Sequence, residues 1–99
     1  MSGRKVALHP EAIAEAKAAR EWYQERSSAA AIAFLKELDS AIEQIAEFPN
    51  RWPSHHHGTR RYLLRRFPFS VVYRESKEII EVVAIAHGRR KPGYWKNRT

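Results

Sequence analysis

A histidine, several cations and two aromatic residues lie close together near the end of this chain. The cluster contains His87, Arg89, Arg90, Lys91, Tyr94 and Trp95. An imidazole titrates near neutral pH, so His87 has the chemistry of a general base. Guanidinium groups pair with phosphate, and aromatic rings stack on bases. The cluster therefore predicts a surface that binds an anionic target, with or without catalysis.

The positive charge is concentrated in the second half of the chain. The protein has 99 residues and a formal net charge of +7. Residues 1–49 carry six Lys and Arg against eight Asp and Glu, whereas residues 50–99 carry twelve against three. This uneven distribution of positive charge favours association with nucleic acid, an enzyme–nucleic acid complex or an acidic protein.

Two arginines earlier in the chain extend the candidate surface. Thr59–Arg66 has the pattern of a strand, and period-two alternation would put Arg61 and Arg65 on one side of it, with Arg60 and Arg66 on the other. We therefore predict one target-binding patch that contains Arg61, Arg65, Arg89, Arg90, Lys91, Tyr94 and Trp95. A simpler interpretation of the two aromatic residues is that they fix the C-terminal segment to a sheet.

The sequence gives little support for a metal site, for cysteine chemistry or for a nucleotide cofactor. His55, His56 and His57 are adjacent in a loop, and three consecutive side chains do not converge on one ion, so we expect no native metal site. There is no cysteine, which excludes disulfides and thiolate sites. The four glycines are isolated and form no nucleotide-binding loop, so we expect no cofactor.

Periodicity predicts one α+β domain over residues 1–99. The expected order is a short strand, two helices in an antiparallel hairpin, and three strands in an antiparallel sheet that the hairpin covers. The expected elements are Lys5–His9, Pro10–Arg26, Ser28–Phe48, Thr59–Arg66, Phe69–Arg74 and Ile79–Ala86. The last strand is apolar on both faces and should be central. We expect Trp22 and Trp52 to pack in the core or under a loop.

The N-terminus lacks the pattern of a signal peptide, and no apolar run reaches the roughly 18 residues of a membrane span. We therefore expect a cytoplasmic protein without a membrane segment.

Three segments together resemble the RelE/ParE family of bacterial toxins from type II toxin–antitoxin modules, also called plasmid-stabilisation proteins. They are Gly58–Arg61 with Arg65–Phe69, then Val71–Arg74, then Val83–Arg90 with Pro92–Trp95. The last is similar to the family's His-x-x-Arg-x-Pro-x-Tyr-Trp ending. The resemblance implies a helix hairpin on a small antiparallel sheet, and an acidic antitoxin as partner.

At least two activities occur in this family. RelE-like members cut mRNA on the ribosome, and many carry an arginine where this chain has Ser70; ParE-like members inhibit DNA gyrase by binding. Ser70 therefore favours the ParE-like branch, with gyrase as the expected target. The alternative is a ribosome-dependent mRNA endoribonuclease that uses His87, Tyr94 and Arg65, and a third is an orphan member that has lost potency. A homodimer and a toxin–antitoxin hetero-oligomer both remain open.

Overall fold

The structure, a computed structural model, describes residues 4–98 and has the predicted α+β architecture. Its elements are β1 (Lys5–Leu8), α1 (Pro10–Arg26), α2 (Ser28–Glu47), β2 (Arg60–Leu63), β3 (Phe69–Glu75) and β4 (Ile79–His87). Short 3₁₀ turns occupy His56–Gly58 and Lys96–Arg98. The strand predicted over Thr59–Arg66 is shorter than expected, because the chain leaves the sheet after Leu63.

The helix hairpin is defined by its caps. Pro10 occupies the first turn of α1, where a missing N–H costs nothing, and the His9 side chain accepts a hydrogen bond from the backbone of Glu11. Ser27 alone separates the helices. Its backbone N–H donates to Tyr23 at the end of α1, and its hydroxyl accepts from Ala30 in the first turn of α2. One residue therefore ends one helix and starts the next.

The four strands form one mixed sheet in the order β1-β4-β3-β2. Strands β2, β3 and β4 make the predicted antiparallel meander, and β4 lies centrally between β1 and β3. Strand β1 pairs with β4 in parallel, a pairing that the sequence left open. This pairing stops at Leu8 and Val82, so the last five residues of β4 extend beyond β1.

The hairpin packs on one face of the sheet to form the main core. The alanine face of α1 contributes Ala12, Ala16, Ala19 and Tyr23, which recur at helical spacing in the sequence, and α2 contributes Phe34, Leu38, Ala41 and Ile45. The prediction for Trp22 was wrong. Its side chain is 52% exposed, because it lies beside the alanine face rather than on it. Trp52 is half-buried and packs against this core, as predicted.

The other face of the sheet has a smaller core of its own. Val72, Val83, Ala84 and Ala86 pack there against Trp95 of the C-terminal segment, which we define as residues 88–98. The chain therefore folds back across the sheet after β4. Within residues 4–98, no helix is long and apolar enough to cross a membrane.

Candidate target-binding surface

His87 ends β4 and directs the start of the C-terminal segment. Its Nδ1 accepts a hydrogen bond from the backbone N–H of Arg89 at 3.0 Å, and its ring meets Phe69 edge to face. An accepting Nδ1 places the proton of the neutral ring on Nε2. The backbone N–H of Gly88 donates to Pro68, so the turn after β4 is fixed on both sides.

The C-terminal segment is fastened to α1 by a single carboxylate, Glu15. This group accepts two hydrogen bonds from Arg98, at 2.9 Å each, and one from the Tyr94 hydroxyl at 2.8 Å. It also accepts the backbone N–H of Ile85 at 2.9 Å, which β1 does not reach. Arg98 donates in addition to the carbonyl of Val83 at 3.1 Å. Glu15 and Arg98 therefore also satisfy the part of β4 that extends beyond β1.

Tyr94 is held firmly by this arrangement. Burial, followed by the hydrogen bond to Glu15, raises the pKa of its phenol well above the usual range. The Arg90 guanidinium lies 3.8 Å from the centre of its ring, a cation–π contact. The hydroxyl is therefore a committed donor to Glu15. It is poorly suited to act as the proton-transfer group that the nuclease alternative requires.

Trp95 is the clearest correction to the predicted binding surface. It is 1% exposed, so it is not available to a target as the protein stands. The ring packs on the sheet and stacks on the imidazole of His55 at 5.2 Å between centroids. The simpler interpretation, that the aromatic pair fixes the C-terminal segment, is the one that this geometry supports.

The predicted arginines line different cavities. Arg61 and Arg90 line the same small cavity above the sheet, whereas Arg65 lines a separate groove beside α2. The expected alternation fails because β2 ends at Leu63 and the chain turns. In that turn the backbone N–H groups of Arg65 and Arg66 donate to the Glu37 carboxylate on α2. Of the predicted nuclease set, only His87 and Tyr94 share a cavity.

The candidate cations nevertheless remain available. Within residues 4–98, the arginines that form ion pairs are Arg4, Arg26, Arg66, Arg74 and Arg98. Neither Arg61 nor Arg65 is among them, and the same holds for Arg89, Arg90 and Lys91, which are exposed. Glu15 is already paired with Arg98, and within residues 4–98 no carboxylate of α1 forms an ion pair with residues 89–91.

The three histidines pack against the C-terminal segment. His55 stacks on Trp95, and burial, followed by the charges of Arg61 and His56, lowers the pKa of its imidazole. His57 adopts a positive φ of 60° and lies against Gly93. Among residues 4–98, no group of three or more histidine or acidic side chains is arranged to hold a metal ion.

An apolar groove lies between α1 and the end of β4, and the sequence analysis did not identify it. Its volume is about 390 Å³. Its lining comprises Glu15, Ala18, Ala19, Trp22, Tyr23, Pro68, Phe69, Ile85, His87 and Arg90. We call it the α1 groove. Trp22 could have indicated this groove, because a large aromatic side chain that lies outside the core-facing side of a helix can mark a binding surface.

Comparison with known proteins identifies the family. Residues 6–92 match the sequence model described as the ParE toxin of the type II toxin–antitoxin system parDE. The chain belongs to the ParE toxin family. No curated protein sequence gives a match. Among solved structures, the chain is similar to a "Chromosomal ParDE TA system from P. aeruginosa", with 20% identity and a TM-score of 0.75. That match covers 85% of this chain and 95% of the other, and it supports the same fold.

Membership of this family makes the chain the toxin component of a type II module of the ParE kind and implies an antitoxin partner. The resemblance noted from the sequence is thereby confirmed, including the preference for the ParE-like branch.

Proposed function

We propose that this ParE-family toxin inhibits DNA gyrase by binding and that its antitoxin covers the α1 groove. The observation that carries the proposal is the state of the cations at the end of β4. Arg89, Arg90 and Lys91 are exposed and have no ion pair among residues 4–98. The turn that presents them is fixed by His87, Gly88 and the contacts of Glu15. A rigid cationic turn loses little conformational entropy when it binds an anionic surface.

Binding without catalysis agrees with the groups around this turn. The Tyr94 hydroxyl is engaged by Glu15, and the third residue of the nuclease set, Arg65, lies at a different groove. Ser70 occupies the strand position that carries an arginine in many RNA-cleaving relatives. A hydroxyl there lacks the fixed charge that would stabilise a pentavalent phosphate.

The α1 groove has the features expected for antitoxin binding. It is mainly apolar, it exposes half of Trp22, and it ends at Ile85 and His87 of β4. An amphipathic helix or an added extended segment would bury these groups. The net charge of +7 favours an acidic partner, which would associate faster and with better discrimination.

The first experiment is induction of the protein in bacteria that lack its antitoxin. Growth arrest with an SOS response and filamentation is the expected result, together with inhibition of supercoiling by purified gyrase. Arrest of translation with mRNA cut between codon positions would instead support the endoribonuclease. Absence of any phenotype from a folded, expressed protein would support the third hypothesis, an orphan member that has lost potency.

Charge-reversal variants locate the binding surface. Arg89→Glu combined with Arg90→Glu should abolish gyrase inhibition, because like charges across an interface cost several kcal/mol, on the order of a hundredfold or more in affinity. The matched control is Lys17→Glu with Lys77→Glu, an equal change in net charge at exposed lysines elsewhere. Equal loss of inhibition in both proteins would show a nonspecific charge effect and contradict the proposal.

His87→Ala separates binding from catalysis. Under the proposal the variant loses only the contact from His87 to the backbone of Arg89, so a protein that circular dichroism shows to be folded keeps a reduced but measurable gyrase inhibition. Complete loss of toxicity by a folded His87→Ala protein would point to proton transfer and to the nuclease.

A further inference from the structure

A large polar groove lies beside α2 and the edge strand β2, and it shares no lining residue with the α1 groove. Its volume is about 950 Å³. Its walls come from α2, from the loop that follows this helix, and from β2 with the turn after it. We call it the α2 groove. A space of this size holds a ligand larger than a single small ion.

The charge of the α2 groove is complementary to a polyanion. Four cationic side chains line it, against one carboxylate, that of Glu37. This carboxylate is already engaged, because it accepts hydrogen bonds from the backbone N–H groups of Arg65 and Arg66. Among residues 4–98, Lys36, Arg51 and Arg65 form no ion pair, and all three are exposed. Their charges are therefore available to the phosphates of a ligand.

The positive charge continues beyond the groove along one end of the sheet. The turn after β2 contacts the start of the C-terminal segment, because Pro68 accepts the backbone N–H of Gly88 at 2.8 Å. Arg65 and Arg66 therefore lie at the same end of the sheet as the exposed cations of residues 89–91. An extended polyanion matches this distribution better than a compact anion does, since its charges are spread along a chain.

Two aromatic rings in the groove indicate which class of polyanion fits. The rings of Trp52 and Tyr62 lie 4.8 Å apart between centroids, and both are half-buried, so part of each ring is accessible. The Tyr62 hydroxyl accepts a hydrogen bond from Gln44 at 3.1 Å, and the Arg51 guanidinium lies 5.8 Å from the centre of the Trp52 ring. Single-stranded nucleic acids bind such surfaces, because bases stack on the rings while cations contact the phosphates. An acidic peptide has no base to stack, and a duplex hides the faces of its bases.

We propose that the α2 groove binds a single strand of nucleic acid, with Lys36, Arg51 and Arg65 on the phosphates and Trp52 stacked on a base. The strand is either DNA or RNA, since the two share this chemistry. No particular base sequence is required, because every base has a face that can stack. The proposal does not depend on gyrase being the target of the toxin, and each test below uses the toxin without gyrase.

Fluorescence anisotropy with a labelled octathymidylate measures the binding. Three or four phosphate contacts predict that the affinity falls about 20-fold to 50-fold when the salt concentration rises from about 50 to about 200 mM. The absence of binding at the lower salt concentration, or an affinity that does not change with salt, would overturn the proposal.

Two double variants test whether the charges of the groove are responsible. Arg51→Gln combined with Arg65→Gln should weaken binding at least about tenfold and reduce the slope of log affinity against log salt by about 1.4, since each lost phosphate contact on a single strand contributes about 0.7. The control, Lys17→Gln with Lys77→Gln, removes two charges at exposed lysines elsewhere and should stay within about twofold. Equal weakening by both pairs would indicate a diffuse charge effect and contradict a defined groove.

Nuclear magnetic resonance of the ¹⁵N-labelled, unaltered protein locates the ligand. The chain has three tryptophans, and Trp52→Phe assigns the indole N–H signal of Trp52. Titration with octathymidylate should move this signal in a saturable way. Trp22, in the α1 groove, and the buried Trp95 are internal references whose signals should move less. An unmoved Trp52 signal, or equal shifts of all three, would refute binding in the α2 groove.

Three competing ligands identify the class of partner. An oligoglutamate of matched charge should compete weakly. Equal competition by this peptide would assign the groove to an acidic protein and overturn the proposal. A DNA duplex of the same length should also bind more weakly, and equal or tighter binding of the duplex would contradict stacking on Trp52. Octauridylate tests the source of the strand: whichever of it and octathymidylate binds more tightly identifies RNA or DNA, and either preference supports the groove.

Discussion

Replacing Glu15 with glutamine should destabilise the protein more than any other change of a charged side chain on α1. The carboxylate accepts four hydrogen bonds, from Ile85, Tyr94 and twice from Arg98. Glu15→Gln keeps the shape of the side chain and one acceptor oxygen. It removes the charge, however, and places an amide N–H₂ where an oxygen had accepted. Arg98 is then left largely buried with no counter-ion.

The expected cost follows from the burial of this pair. Breaking a buried ion pair by removing one partner costs about 3 to 5 kcal/mol. The side chains of Glu15 and Arg98 are only 16% and 15% exposed, so solvent screens them little, and we take the lower end of that range, about 3 kcal/mol. A small domain has roughly 5 to 15 kcal/mol of total stability, so the variant should remain folded but be much weaker.

Urea denaturation measures this loss. With an m value of about 1 to 1.5 kcal/mol per M, a loss of about 3 kcal/mol lowers the midpoint by about 2 to 3 M. Glu21→Gln, an exposed carboxylate on the same helix, is the control and should change stability by less than about 0.5 kcal/mol. Tryptophan fluorescence should report undocking of Trp95 no later than circular dichroism reports loss of helix. Equal urea midpoints for Glu15→Gln and Glu21→Gln would refute the conclusion that Glu15 holds the C-terminal segment in place.

Three further substitutions test other parts of the structure. Gly93→Ala should cost about 1 to 2 kcal/mol, because Gly93 has a φ of +88° and a Cβ would lie 2.9 Å from the imidazole of His57. Gly58→Ala, at a φ of +72° with open space around it, isolates the backbone strain, and a loss for Gly93→Ala no larger than this control would exclude the contact with His57. Ser27→Ala removes the cap of α2 and should lower the unfolding free energy by about 1 kcal/mol in thermal or urea denaturation; an unchanged midpoint would show that water replaces the hydroxyl. Burial raises the pKa of Tyr73 to about 12, so the stability that its neutral phenol contributes is complete below about pH 10 and is lost as the pH rises through about 12. Absorbance titrations of the unaltered protein and of Tyr73→Phe check this value. The reasoning fails if both proteins show the same tyrosine transitions near pH 12.

The sequence by itself determined the elements and their main faces. The alanine spacing of α1 and the doubly apolar β4 are local patterns, and the residues they mark lie in or against the two cores because periodicity acts within a few turns of chain. The apolar spacing of α2 is only partly correct, since Leu38 and Ile45 are buried but Leu35 is exposed. The pair Ser27–Ser28 marks the break between the helices in the sequence, and the structure shows that Ser27 is the cap. The segments Gly58–Phe69, Val71–Arg74 and Val83–Trp95 were sufficient to suggest the family, which is now shown.

Only the tertiary structure decided how distant residues meet. The parallel pairing of β1 with β4 stops at Val82, and this opening in the sheet is filled by Glu15 and Arg98, which are 83 residues apart in sequence. Because β2 ends at Leu63, Arg65 and Arg61 line different cavities. Long-range contacts of this kind depend on which backbone groups lack a partner after the sheet has formed. Local periodicity carries no information about that, and therefore the C-terminal segment, its buried Trp95 and the cavity beneath it appear only in three dimensions.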